Sequence, residues 1–361
     1  MRTRSRLTRL RQIMAAEGIT ALWVRQEENR RYLSGFTGDS GQLLITPAAC
    51  YLLTDGRFTE QARQEAPDFQ VVDLGNNPWE QLGATLAAAG ITRLHFEAEH
   101  LTYATYTEFL EQARDWLRPV ELAPSRGLVE RLRQVKDDAE LELLQRAIDL
   151  ADAGFSHLLR HLRPGITEKD LALELEYFLG KEGASGPSFT TIIAAGPRAA
   201  LPHGVASRHP LQPGDLVVMD FGAVYGGYHS DLTRTVALAP VAPEWRQVYN
   251  VVLEAQGRAI AALRSGMEGR QVDAVAREHI AAAGYGPYFS HSLGHGVGLA
   301  IHEGPTLSSR SEVKLTPGMV VTVEPGIYLP GRGGIRIEDV VLVLEDGARV
   351  LSHAPRDFIE L

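Results

Sequence analysis

A single cysteine, Cys50, in 361 residues excludes an internal disulfide and fits a reducing compartment. No apolar run approaches the ~18–20 residues of a membrane-spanning helix, so no membrane partner is expected. No polybasic run is large enough to suggest nucleic acid and the formal net charge is −9, which argues against such a partner. The opening MRTRSRLTRLRQIM carries five arginines and no acid. It lacks the apolar stretch and small-residue cleavage site of a secretory leader. Leu7, Leu10, Ile13 and Met14 recur at helical spacing, predicting a basic amphipathic first helix. The cytoplasm is the expected location, ahead of an organelle reached by a transit peptide. What remains is ordinary for a globular chain: 44% apolar and 22% charged residues, and length enough for two domains.

Residues 1–125 read as a compact α/β unit. Strand-like runs at 21–24, 41–46 and 50–55 alternate with helical stretches at 57–66 and 78–89. PSRG at 124–127 serves as a connector, and 126–361 forms the second domain. Residues 128–161 carry apolar side chains at helical period, with a break expected at Lys136–Asp137.

From there the chain repeats itself. LQPGDLVVMDFG (211–222) and LTPGMVVTVEPG (315–326) run in step, with Asp220 and Glu324 at the same place at the end of an apolar strand. The first half reads as helix 167–182, a PSFTTIIAAG strand, His203, the strand to Asp220, a glycine-rich turn and a strand beginning with Asp231. The second reads as helix 270–283, PYFSHSLGH, His302, the strand to Glu324, a glycine-rich turn and a single strand IRIEDVVLVL carrying Glu338. Each half thus offers one histidine and two carboxylates in the same order, and the second adds His291 and His295. Halves packed about a pseudo-two-fold axis bring the four acids to one central point.

Four crowded carboxylates repel unless they are protonated or bound to cations. Two divalent ions match them charge for charge. Oxygen ligands with a histidine suit Mn²⁺, Zn²⁺, Co²⁺ or Fe²⁺ better than an all-oxygen cage would. Two such ions share a bridging water that serves, as hydroxide, to attack an acyl or phosphoryl centre. The glycines of HSLGHGVGLAIHE (291–303) lack the spacing and lysine of a phosphate loop, and are read as letting the backbone approach the metals.

These residues resemble the pita-bread metallopeptidases, and specifically their proline-specific branch of Xaa-Pro dipeptidases (prolidases) and aminopeptidase P. DFGAVYGGYHSDLTRT, HSLGHGVGLAIHE and VEPGIYLPGRGGIRIED carry the likeness in the second domain, and NRRYLSGFTGDSG and YLLTDGRFTEQA in the first. The resemblance implies an α/β (α+β) chain with a small creatinase-like N-terminal domain before a duplicated pita-bread catalytic domain. It implies metal ligands at Asp220, Asp231, His295, Glu324 and Glu338, holding two divalent ions, with Mn²⁺ placed ahead of Zn²⁺ and Co²⁺. It implies catalytic roles for His203, His302 and Glu324, and substrate contacts by His203, His291, His302 and Arg336. Asp39, in the FTGDSG loop, is the candidate to reach a partner subunit's pocket, since a homodimer is expected from the family. Thr190, Arg198 and Ala199 depart from the usual pattern beside the substrate pocket.

The activity implied is hydrolysis of an Xaa-Pro peptide bond, read as a dipeptidase ahead of an aminopeptidase P acting on longer peptides. A non-catalytic binding protein on this fold would lose ligands, whereas all five are intact here. A creatinase-type amidinohydrolase works without metal and would replace them. A methionine aminopeptidase usually lacks a domain like residues 1–125.

Overall fold

The computed structural model describes residues 2–116 and 118–361. The chain divides into two compact units, Met1–Arg133 and Gln134–Leu361. In the first, the arginine-rich start is the helix Arg2–Ala16, with Leu7, Leu10 and Met14 buried as its spacing predicts. A six-stranded sheet runs in the order Gln70–Asp73, Cys50–Thr54, Gln42–Ile45, Leu22–Val24, Arg93–Glu97, Glu121–Ser125. Its core gathers Trp23, Leu44, Leu53, Leu86, Leu94 and Phe109. Residues 126–133, assigned above to the second domain, are held in this unit. Asn29 donates to Glu130 at 2.6 Å, Arg133 to Asn29 at 2.9 Å, and the Tyr32 hydroxyl to the carbonyl of Leu132 at 3.3 Å.

The expected helix break appears between Glu130–Arg133 and Asp138–Leu159. Asp137 caps the longer helix by accepting from the N–H groups of Ala139 and Glu140, while Glu140 accepts from the N–H of Asp137. In the first half of the second unit, this helix and Glu168–Lys181 pack on a three-stranded sheet with Leu216–Phe221 at its centre, between Ile192–Ala195 and Leu232–Ala237. Phe155, Leu171, Leu175, Val217 and Met219 share that core. In the second half, helices Pro243–Ala262 and Gly269–Ala282 share a core with a five-stranded sheet. Its order is Glu303–Leu307, Gly294–Gly296, Val320–Val323, Asp339–Leu344, Gly347–Val350.

The duplication extends to single hydrogen bonds. Gly214 and Gly318 close the two leucine-x-proline-glycine turns at φ 91° and 89°, a region where a side chain would be strained. The N–H of Gly165 reaches the carbonyl of Leu211 at 2.8 Å, and that of Gly266 reaches Leu315 at 2.9 Å. The helix that follows starts with a capping box in each half, Thr167–Asp170 and Glu268–Gln271.

Two strands expected to be continuous are interrupted. Of PSFTTIIAAG, only Pro187, at the end of the short strand Gly186–Pro187, and Ile192–Ala195 lie in strands, and Phe189 and Thr190 between them line a cavity. IRIEDVVLVL splits: Gly333–Arg336 pairs with Gly326–Leu329 in a two-stranded ribbon, and Asp339–Leu344 joins the larger sheet. Glu338 lies in the gap because its N–H donates to the carbonyl of Thr233, in the other half, at 3.1 Å. Among the described residues no helix is long and apolar enough to cross a membrane.

Candidate metal and catalytic site

The acids sit where the two sheets end. Asp220 is the fifth residue of the fully buried strand Leu216–Phe221 and pairs with Thr233 on the neighbouring strand, two residues past Asp231. In the other half Val323 pairs with Asp339, so Glu324 and Glu338 each lie one residue beyond that last pair. His295 is the middle residue of the short strand Gly294–Gly296. All five residues line one cavity of about 700 Å³ together with His203, His291, His302 and Arg336.

His295 Nε2 lies 3.5 Å from Asp231 Oδ2 and 3.4 Å from Glu324 Oε1. Ligating atoms of Asp231, His295 and Glu338 all fall within 4.8 Å of one another. The Thr322 hydroxyl donates to Glu324 at 3.1 Å, and the Thr233 hydroxyl to Glu338 at 2.6 Å. Arg336 donates from Nη2 to Asp220 at 2.5 Å, from Nε to Thr233 Oγ1 at 3.1 Å, and from Nη1 to the Tyr328 hydroxyl at 2.6 Å. Asp220 Oδ1 and Glu338 Oε1 are buried with no hydrogen-bond partner. Orphaned carboxylate oxygens are costly unless a cation meets them. The donor set, four carboxylates and one imidazole, therefore fits divalent metal ions.

The protonation of the cluster follows the same logic. Burial, with Asp231 and Glu324 nearby and in spite of Arg336, raises the Asp220 carboxyl to about 7. Burial also lifts Glu324 and, further, Glu338. Burial would lower the His295 imidazole, yet its bond to Asp231 and the charges of Glu324 and Asp231 raise it to about 9. Without cations this nest of acids holds protons.

The other predicted residues separate. His203 and His302 are exposed at the cavity wall, and the His302 ring meets that of His295 edge-on at 4.3 Å between centroids. His291 lies deeper. Its Nδ1 donates to the carbonyl of Ser292 at 2.8 Å, leaving Nε2 to accept from the Tyr328 hydroxyl at 2.9 Å. Asp220, Arg336, Tyr328 and His291 thus form one hydrogen-bonded chain. Asp39 lies on an exposed loop of the first unit and is not among the residues lining this cavity. Thr190 does line it, whereas Arg198 turns to the buried carboxylate of Glu168 at 3.0 Å.

The glycines beside His295 have a different purpose from the one read in the sequence. A Cβ on Gly294 would stand 2.0 Å from the carbonyl of Thr322, and one on Gly296 2.2 Å from that of Gly304. They let adjacent strands close on each other, rather than the backbone close on metals.

Tyr328, Thr233 and Thr322 escaped the sequence reading. The threonines had a signal, for each is two residues from an acid, on the same face of an extended chain. Tyr328 had none, since it reaches the site only through the ribbon turn.

Burial, with Arg336 adding to it, lowers His291 to about 4. Its unfolded value lies near ~6.5, so the unfolded chain binds the extra proton between those two values. The neutral ring's contribution is therefore complete above pH ~6.5 and is lost as pH falls toward 4, by about 3 kcal/mol in all. The buried acids, which hold protons in the folded metal-free chain, slope the other way, so the expected result is a difference. Between pH 7 and 4.5 wild type should lose more stability, or gain less, than His291→Gln in urea unfolding of metal-free protein. An equal slope in both proteins would remove His291 as its source.

Comparison with known proteins agrees with this architecture. Residues 142–345 match the model of metallopeptidase family M24, and residues 6–135 match the creatinase/prolidase N-terminal domain. The solved Xaa-Pro dipeptidase from Bacillus anthracis superposes with a TM-score of 0.96 at 43% identity, covering 99% of this chain and 100% of that one. The X-Pro aminopeptidase from Thermotoga maritima gives 0.90 at 39%, covering 98% and 99%. A Xaa-Pro dipeptidase of Pyrococcus horikoshii is 36% identical over 353 residues, 96% of this chain and 97% of that protein. Acids and histidine converging from duplicated halves, in a chain whose N-terminal residues match a creatinase/prolidase domain, have one reading: the chain is a peptidase of metallopeptidase family M24, with the pita-bread fold.

Proposed function

We propose that this peptidase hydrolyses the Xaa-Pro bond of dipeptides, with two divalent ions, Mn²⁺ first, held by Asp220, Asp231, His295, Glu324 and Glu338. The observation that carries the reading is the convergence of these five side chains on one cavity with two buried carboxylate oxygens unpartnered. Bound there, such ions would supply Lewis acidity, lowering the pKa of a water and polarising the scissile carbonyl. Glu324 would accept the water's proton, with the Thr322 hydroxyl orienting it through a hydrogen bond to Oε1 at 3.1 Å. His203 and His302 would stabilise the oxyanion from the wall, a role worth a few kcal/mol.

Proline explains the need for this arrangement. Its imide nitrogen has no N–H and its ring fixes φ, so a site that grips the scissile amide hydrogen fails on it. Phe189, Ile192, Val205 and Ile301 give the cavity apolar walls for the ring and for the residue before it. Two of the relatives above, described as Xaa-Pro dipeptidases, support the dipeptide preference, whereas the X-Pro aminopeptidase from Thermotoga maritima supports the second reading, action on longer peptides.

The test is a peptide panel. Protein stripped by chelation and reloaded with Mn²⁺, Zn²⁺ or Co²⁺ is given Xaa-Pro, Xaa-Pro-Xaa, Xaa-Ala and Met-Xaa peptides. Xaa-Pro should be cleaved at least ~100-fold faster than Xaa-Ala, and only in reloaded protein. Full activity in the stripped protein, or indifference to proline, would dismiss the proposal; preference for Xaa-Pro-Xaa would select the aminopeptidase.

A further inference from the structure

A second group of potential metal-binding side chains lies outside the catalytic cavity, where helices Asp138–Leu159 and Glu168–Lys181 pack together. His157 Nε2 is 2.8 Å from Glu174 Oε1, and His161 Nε2 is 3.8 Å from the same oxygen. The ligating atoms of all three fall within 4.8 Å of one another. Around a tetrahedral ion with bonds of ~2.0–2.1 Å, ligand atoms stand ~3.4 Å apart, and the spacings of the two imidazoles from Glu174, 2.8 and 3.8 Å, bracket that value. The group is accessible to solvent without being loose: the side chains of His157, His161 and Glu174 are 14%, 33% and 38% exposed.

We propose that His157, His161 and Glu174 form a further divalent-cation site, suited to Zn²⁺, which clasps the two helices of the first half. Three features favour a built site over a surface ion pair. The His157 ring is stacked on Phe178 at 4.2 Å and 12°, which fixes its rotamer. His161 Nδ1 donates to the carbonyl of His157 at 3.0 Å, so in the neutral ring the Nε2 lone pair points to the ligand side. That lone pair faces the Glu174 carboxylate across 3.8 Å, too far for a hydrogen bond and a distance that a shared cation closes. Two imidazoles and a carboxylate are borderline donors of the kind Zn²⁺ takes, with water in the fourth place.

Binding requires a tautomer change. Arg160 donates to His157 Nδ1 at 3.3 Å, so His157 Nε2 carries its hydrogen toward Glu174. When Zn²⁺ takes Nε2, that hydrogen passes through solvent to Nδ1 and the exposed Arg160 contact is given up; no net proton is released. Among the described residues one other such group, Asp149, Asp152 and His353, is less prepared: both oxygens of Asp152 are engaged by the N–H groups of His353 and Ala354 and the His353 side chain is 71% exposed.

The experiment uses the full chain without a histidine tag. Wild type, His161→Ala and Glu174→Gln are dialysed against a few micromolar free Zn²⁺, and zinc per chain is read by emission spectrometry beside peptidase activity. Each variant should hold one zinc fewer than wild type at unchanged activity, and the Co²⁺-loaded forms should differ by one tetrahedral absorption component. Equal metal content in all three would overturn the proposal. Because the readout is a difference between proteins, it stands apart from how many ions the catalytic cavity holds. Should His161→Ala misfold, Glu174→Gln, which removes no packing, decides alone.

Discussion

Glu324→Gln is expected to lower kcat about 10³-fold, some 4 kcal/mol of barrier, while the chain still folds. The carboxamide keeps the shape of the side chain and one oxygen for the Thr322 hydroxyl, which donates to it at 3.1 Å. It loses the negative charge opposite His295, 3.4 Å away, and the capacity to accept a proton. KM should move much less, because the apolar cavity walls proposed to receive the substrate side chains are untouched. Burial raises the Glu324 carboxyl, so its charged form is a burden in metal-free protein. The variant without metal should therefore unfold at an equal or higher denaturant concentration than wild type. Turnover close to wild type, in a preparation whose metal content matches it, would refute the assigned role.

Arg336→Met should have the largest effect on stability. The guanidinium is 3% exposed and makes four contacts, to Asp220, Thr233, Tyr328 and the carbonyl of Pro202. Removing one partner of a buried ion pair strands the other, and typically costs about 3–5 kcal/mol. That cost is expected in the metal-free protein at a pH well above 7, where Asp220, raised to about 7 even beside Arg336, is charged among neighbouring acids and has lost its cation. With divalent ions present the stranded charge is compensated and the deficit should shrink by at least ~1 kcal/mol. Urea unfolding of wild type and variant, with and without Mn²⁺, measures both values. A deficit of the same size in the two conditions would separate Arg336 from the charge balance of the site.

Much of this site could be read from the sequence, because duplication makes rare features recur. One acid at the end of an apolar strand is unremarkable; Asp220 and Glu324 preceded by the same turn are not, and the two turns adopt the same left-handed glycine geometry. Periodicity served where local pairing decides the outcome, as in the Arg2–Ala16 helix. It failed where a contact from the other half intervenes. IRIEDVVLVL alternates like one strand, but the bond from Glu338 to Thr233 breaks it at that acid. Glycine spacing around His295 flagged close approach correctly and named the wrong neighbour, since only the fold reveals that the carbonyls of Thr322 and Gly304 lie there. Tyr328 was invisible for the same reason: its value lies in bridging Arg336 to His291.

The seam between the halves also limits how such an enzyme can diversify. Thr233 holds Glu338, Arg234 holds the carbonyl of Glu338 and the carboxylate of Asp339, and Thr235 meets the backbone of Arg336. A change at any of these three consecutive positions strands a partner across the junction, so drift there is penalised before it alters what is cleaved. The rim formed by Phe189, Val205 and Ile301 has no such obligation, and a smaller side chain there only widens the opening. New diets are open to this scaffold through its rim, while its seam stays fixed.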